Sequence, residues 1–162
     1  MKKVAVLGMA VVAGFALIAP GANSAGPPKV LEFDTMAAVI RPYVGAVNSI
    51  RGVPGGGLPW AIDEGKGELR VDGKLEIEVE GLVLAEGALT GTNPIAQFKA
   101  IVSCQTIVGG AAAVTSVSTD PFPATTTGDS KIEATVDLPD PCFAPVVFVT
   151  SPTGSWFAVT GV

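Results

Sequence analysis

The chain contains no histidine. That excludes a Ser-His-Asp or Cys-His nucleophile system and any His-ligated zinc site. Only two cysteines are present, too few for a four-cysteine metal site or an iron–sulfur cluster. Charge is sparse and uneven, with 10 basic residues against 15 acidic in 162. An acidic chain so poor in Lys and Arg is a weak candidate for nucleic-acid binding. Aromatics make up only 6% of the chain. The length suits one ordinary domain.

One long apolar run exists, at the start. Lys2 and Lys3 precede an uncharged stretch from Val4 to Ala19, Pro20-Gly21 breaks it, and Asn23-Ser24-Ala25 supplies small residues. This is the layout of a secretory signal peptide, expected as an apolar helix over residues 1–25 with cleavage near Ala25. No Cys stands near that point to support a lipid anchor. No comparable run follows, so no stable membrane span is expected after cleavage. Removal takes two lysines and no acids, which leaves eight basic residues against 15 acidic in the mature domain, residues 26–162.

The remainder reads as strands. Leu69 and Val71 alternate with Glu68 and Arg70, and Leu75, Ile77 and Val79 with Glu76, Glu78 and Glu80. A period of two with acids on one face marks half-buried antiparallel strands. Asp72-Gly73 between them predicts a two-residue hairpin turn, and Gly81 a bend or bulge. Further strands are predicted over Gln97–Ile107 (Phe98, Ala100, Val102 and Cys104 on one face), Ala113–Ser118 and Lys131–Leu138. Pro145–Thr150 and Trp156–Thr160 flank a hairpin loop at 151–155. Val30–Phe33 reads as a strand, Val39–Val44 as a proline-bearing edge strand, and residues 36–40 as the sole short helical candidate. The expectation is an all-β, antiparallel β-sandwich of about eight strands, with residues 26–60 as an irregular arm and glycine-rich loop leading into it.

Cys104 falls on a core face and Cys142 begins a late strand. In an exported chain with two cysteines, a disulfide follows. A redox pair would call for Cys-x-x-Cys spacing, which is missing.

The least ordinary stretch is Arg51-Gly52-Val53-Pro54-Gly55-Gly56-Gly57-Leu58-Pro59-Trp60. Leu58 stands where a phosphate loop needs Lys-Ser or Lys-Thr. Arg51, Gly55, Gly56, Gly57 and Trp60 make a candidate binding loop, with Trp60 presented on a mobile glycine base. The competing reading has Leu58 and Trp60 plugging the end of the sandwich, because a lone Trp usually buries apolar area.

Glu76, Glu78 and Glu80, with Asp63, Glu64 and Glu68 nearby, form an acidic stripe. Its spacing suits a weak calcium site or a carboxylate pair for glycoside hydrolysis. It equally suits a solvated face with Arg70 and Lys74 pairing across the hairpin. Ser118–Ser130 is a polar, proline-punctuated loop. Asp120 and Asp129 there lack the ordered ligand spacing of a calcium loop. Phe122, between two prolines, either caps the core or makes an exposed contact. Neither Asn48 nor Asn93 is a glycosylation acceptor, and Ser155 lacks the nucleophile-elbow pattern. No catalytic residue, metal ligand or cofactor is assigned.

Two resemblances follow from particular residues. Ile50 to Trp60, Thr92-Asn93-Pro94 and Ala144-Pro145-Val146-Val147-Phe148-Val149 together resemble a family of small exported bacterial proteins of unknown function. This covers most of the mature chain and implies no activity. Gly67-Glu68-Leu69-Arg70-Val71-Asp72-Gly73-Lys74-Leu75 through Val79-Glu80-Gly81-Leu82 resembles one hairpin of CHRD domains, and implies an Ig-like extracellular sandwich. The His-containing segment of that family has no counterpart here, so no site residues are carried over.

The functional expectation is an exported, non-enzymatic module that meets a surface, envelope or matrix partner. One alternative is a carboxylate-dependent hydrolase acting on polysaccharide. Another is a self-assembling subunit that uses residues 26–45 as a strand-adding arm.

Overall fold

The computed structural model describes residues 26–160. The signal-peptide expectation lies outside the described residues. No helix occurs among them. Twelve strands follow in order: β1 (Lys29–Phe33), β2 (Met36–Ala38), β3 (Trp60–Ala61), β4 (Glu64–Arg70), β5 (Lys74–Glu80), β6 (Val83–Leu84), β7 (Gln97–Val108), β8 (Ala111–Ser118), β9 (Phe122–Pro123), β10 (Ser130–Thr135), β11 (Phe143–Thr150) and β12 (Trp156–Thr160). Eight of these have five or more residues.

They form two antiparallel sheets. One runs β1-β4-β5-β10; the other runs β2-β12-β11-β7-β8, with β9 beside the start of β7 and a small β3-β6 pair apart. One core joins the two sheets. Leu69, Leu75, Ile77, Val79 and Ile132 enter it from the first sheet. Phe98, Ala100, Val102, Cys104, Val147, Val149 and Ala158 enter from the second. On β5, and on β7 from Gln97 to Val102, the alternate residues are the buried ones, as a period of two requires.

The 69–75 hairpin departs from the expected two-residue turn. Leu69 faces Leu75, so Val71, Asp72 and Gly73 form a three-residue loop between Arg70 and Lys74. The Gly73 N–H donates to the Arg70 carbonyl at 3.0 Å, and only Gly73 of the three has a positive φ, +83°. This is the type I turn closed by a left-handed glycine, the common three-residue alternative. A Cβ at Gly73 would also lie 1.9 Å from the Val136 carbonyl oxygen. Lys131–Leu138 is shortened for the same reason. Pairing with β5 ends at Thr135, after which the Val136 N–H donates to the Gly73 carbonyl instead.

The N-terminal region is docked more firmly than an irregular arm. β1 pairs with β4 in one sheet and β2 pairs with β12 in the other. Residues 36–38 are therefore strand rather than helix: Met36 and Val39 point inward and are buried. The expected edge strand at Val39–Val44 does not form, and the chain turns away at residues 41–48. Pro42 has no N–H to extend a ladder there.

β11 and β12 show why this excursion matters. Val147, Phe148 and Val149 are successive, so they point to alternate faces, yet all are fully buried; every residue of β12 is buried too. Burial on both faces needs a third layer. Residues 39–57 contribute to it: Arg51 Nη1 donates to the Ser103 carbonyl at 2.8 Å. The Gly56 N–H donates to the Trp156 carbonyl, and the Trp156 N–H to the Pro54 carbonyl, each at 2.8 Å.

Candidate functional site

Three surface regions carry the chemistry. The glycine-rich segment is the first, and the structure corrects the expectation of a mobile base presenting Trp60. Arg51 and Gly52 have φ of 49° and 80°, and Ile50 and Val53 exchange backbone hydrogen bonds around them. This closes a tight two-residue turn. Gly55 and Gly56 are buried and bridge to Trp156. Trp60 is only 4% exposed; it stacks on Phe157 and meets Phe98 edge-on at 6.4 Å. Gly57 and Leu58 alone remain at the surface of residues 53–60, apart from half-buried Pro54. Apolar burial of the indole offsets the entropy of ordering the three glycines.

The second region is the outer face of the four-stranded sheet. Registers place Glu32 opposite Glu68, Glu68 opposite Glu76, and Glu76 opposite Glu133. Four glutamates thus form one row across all four strands. Like charges facing each other destabilise a sheet, and neighbouring cations offset this. Lys29 reaches Glu32 at 2.7 Å and Glu68 at 2.6 Å; Arg70 reaches Glu68 at 2.7 Å. Lys74 reaches Glu76 at 2.6 Å, and Lys131 reaches Glu133 at 2.7 Å. Arg70 and Lys74 pair within their own strands, so the expected pairing across the hairpin is replaced; a contact between β4 and β5 is instead Lys66 to Glu78 at 3.5 Å.

Hydrogen bonds from Lys29 and then Arg70 hold the Glu68 carboxyl below the ordinary carboxylate range. Lys131 does the same for Glu133. A general acid for glycoside cleavage needs the opposite shift. A shallow groove of about 310 Å³ crosses this face beside Lys66, Glu68, Glu76, Glu78 and Lys131. Among the described residues no group of three or more Asp, Glu or Cys side chains is arranged to hold a metal ion. Asp63 and Glu80 are exposed at the end of this face, and Glu64 pairs with Lys66.

In the 118–130 loop Asp129 is a structural clamp. Its Oδ1 accepts from the Gly81 N–H at 3.0 Å, and its Oδ2 accepts from Thr127 at 2.7 Å and Thr125 at 3.2 Å. The Gly81 and Thr127 bonds, with that of Thr125, lower its pKa against the effect of burial. Phe122 is half-buried, packs against the core and pairs with Phe98 through β9. Sequence reasoning missed Asn93, which is buried. Its Nδ2 donates to the carbonyls of Ile95 and Thr125, and its Oδ1 accepts from the Ile95 N–H, all at 2.8 Å. The Asn93-Pro94 dipeptide was the available signal, since Asn commonly caps its own backbone two residues on.

The third region is the hairpin of β7 and β8, both of which the sequence predicts as strands. β7 and β8 meet at Gly109-Gly110, whose φ values of 58° and 84° fit a two-residue primed turn between Val108 and Ala111. The hairpin runs past the core: Ile107, Val108 and Val114 are exposed, Val114 by 52%, as is Phe143 at the start of β11. β8 ends the order of its sheet, so one of its edges is free among the described residues. Ala111–Ser118 carries neither charge nor proline, the usual guards of an edge strand. The other three terminal strands are guarded or short: β1 has Lys29 and Glu32, β10 has Lys131 and Glu133, and β2 has three residues.

At the root of this hairpin Cys104 bonds to Cys142, next to the Phe143–Gln105 pair with which β11 leaves β7. The covalent link ties the projecting part of β7 to the segment entering β11. Searches against protein-family models, curated proteins and solved structures give no match to this chain.

Proposed function

We propose that the chain is an exported, non-enzymatic β-sandwich module of a bacterial surface, envelope or matrix, which holds its partner by strand addition at the free edge of β8. The observation that carries this reading is that edge: eight residues without charge or proline, with Val114 exposed among them and Ile107 exposed on the neighbouring β7. A free ladder edge offers backbone hydrogen bonds to any added strand. The disulfide supports an oxidising location, as does the signal-like start. The paired, solvated carboxylates of the opposite sheet support a solubilising role rather than catalysis.

Expressed at full length in a bacterial host, the protein is expected outside the cytoplasm, with both thiols protected from alkylation until reduction. It is expected to remain with the cells on washing, whereas Val114→Lys is released to the medium. Cytoplasmic protein with two free thiols overturns the reading, as does retention of Val114→Lys at the wild-type level.

A further inference from the structure

The direction of the unpaired backbone groups on β8 can be read from its pairing. Val108 and Ala111 flank a two-residue turn, which makes them a hydrogen-bonded pair. Alternate residues then repeat the pattern, so Ala111, Ala113, Thr115 and Val117 direct N–H and C=O toward β7. The next residue in this series, Thr119, does donate its N–H to the Ala100 carbonyl, at 3.0 Å. Ala112, Val114, Ser116 and Ser118 therefore direct theirs to the free edge. Their side chains are all exposed, while those of Ala113, Thr115 and Val117 are half-buried.

We infer that this edge pairs with β8 of a second copy, antiparallel, about a two-fold axis through Thr115. The proposal rests on β8 being the working edge, and makes the partner that β8 holds a second copy of this chain. A two-fold axis normal to the sheet keeps each side chain on its own face, so residues of equal parity must oppose one another. Centring on Thr115 sets Val114 against Ser116 and Ala112 against Ser118, and the symmetry repeats both pairs. All four outward-directed residues are then in hydrogen-bonded pairs, giving eight backbone bonds by ladder geometry. Thr115 faces its own copy, a favourable cross-strand pair. Shifting the centre to Val114 leaves Ser118 opposite Gly110 of the turn and loses ladder.

Three observations favour a second copy over a foreign strand. Strand-adding sites gain specificity from pockets for alternate side chains. β8 offers Ala, Val, Thr and Ser, with no charge to recognise a particular sequence. Self-pairing needs no such recognition, because symmetry supplies identical partners. The acidic row, which would repel another copy of a chain of formal charge −5, belongs to the other sheet. Finally, Val114 is exposed on the edge strand and Ile107 on β7 next to it, and the axis brings the two Val114 side chains to diagonal positions on one face, about 7–8 Å apart.

The test is sedimentation of protein recovered from the exported fraction, over a range of concentrations. Wild type is expected to dimerise. Val114→Lys and Val114→Glu are each expected to be monomeric, and an equimolar mixture of the two to recover a dimer, since the symmetry sets the substituted positions side by side. An intact Cys104–Cys142 bond and a wild-type circular dichroism spectrum report that each variant is folded. A wild type that stays monomeric to its solubility limit overturns the inference, as does a dimer that persists in Val114→Lys. If wild type is monomeric while cell retention still depends on Val114, the dimer fails and the strand-adding function stands. If the dimer forms but retention ignores Val114, the function fails and the dimer stands.

Discussion

Trp60 stacks on Phe157 with ring centroids 4.0 Å apart and planes 21° from parallel. The Gly56 backbone lies against both: a Cβ there would stand 3.0 Å from Phe157 Cδ1 and 3.2 Å from Trp60 Nε1. At Gly55 a Cβ would lie 2.0 Å from the Tyr43 carbonyl oxygen, and at Gly57 it would meet nothing within 4 Å. Three adjacent glycines thus have three different tolerances. Gly55→Ala and Gly56→Ala are expected to destabilise by about 1–3 kcal/mol. Gly57→Ala should be neutral or stabilise by up to about 1 kcal/mol. Trp60→Ala should cost about 3–5 kcal/mol. Urea midpoints at unchanged slope measure all four. A costly Gly57→Ala beside harmless changes at Gly55 and Gly56 would show that mobility, not close packing, selects these glycines.

Asn93→Ala removes a side chain that satisfies the Ile95 N–H and the Ile95 and Thr125 carbonyls. In a buried setting the groups left behind lose their partners, so a loss of about 2–3 kcal/mol is expected. Asn93→Asp keeps the acceptor but sets a buried carboxylate oxygen against both carbonyls, so it should cost at least as much as the alanine. The comparison is again made by denaturant unfolding.

Acid should weaken the fold. Glu68, Asp129 and Glu133 have lowered folded pKa values. The unfolded chain therefore binds protons first as pH falls, and stability drops with it. Their contribution is present above the ordinary carboxylate range, about 4, and is lost as pH falls through the lower folded values. Asp129→Asn should flatten this part of a stability–pH curve, since it deletes a group bound by Gly81, Thr127 and Thr125. A variant with the wild-type slope between pH 5 and 2, roughly the carboxylate window, counts against the clamp.

Replacing both Cys104 and Cys142 by Ala opens a link across a sequence separation of 38. The loop-entropy relation gives a loss of about 4 kcal/mol before any relief of strain. Hydrogen exchange should rise most at the end of β7 and the start of β11, where the link anchors the projecting hairpin. Uniform loosening of the four-stranded sheet instead would contradict that local role.

Much of this architecture was written in alternation. Leu75, Ile77 and Val79, or Phe98, Ala100, Val102 and Cys104, mark strand and buried face because side chains switch sides at every residue. The Cys104–Cys142 bond followed from counting cysteines in a chain with an export-like start. Met36–Ala38 was harder. Three residues carry too little periodicity to separate strand from helix, and pairing with β12 decides it. The candidate site was less legible still. Glu76 was visible as part of a stripe along β5, but its neighbours Glu68 and Glu133 come from strands on either side.

Composition and local alternation settle the all-β class, the strand positions with a strong period of two, and the exclusion of histidine chemistry. These depend on composition and on interactions between residues close in the chain. The tertiary structure settles that Leu58 stays at the surface while Trp60 goes inside, that four glutamates line up in one row, and that uncharged β8 ends its sheet. Each of these depends on register and strand order between segments far apart in sequence. No local pattern encodes which strand becomes an edge: that is settled when apolar faces close over one core and the last strand is left without a neighbour.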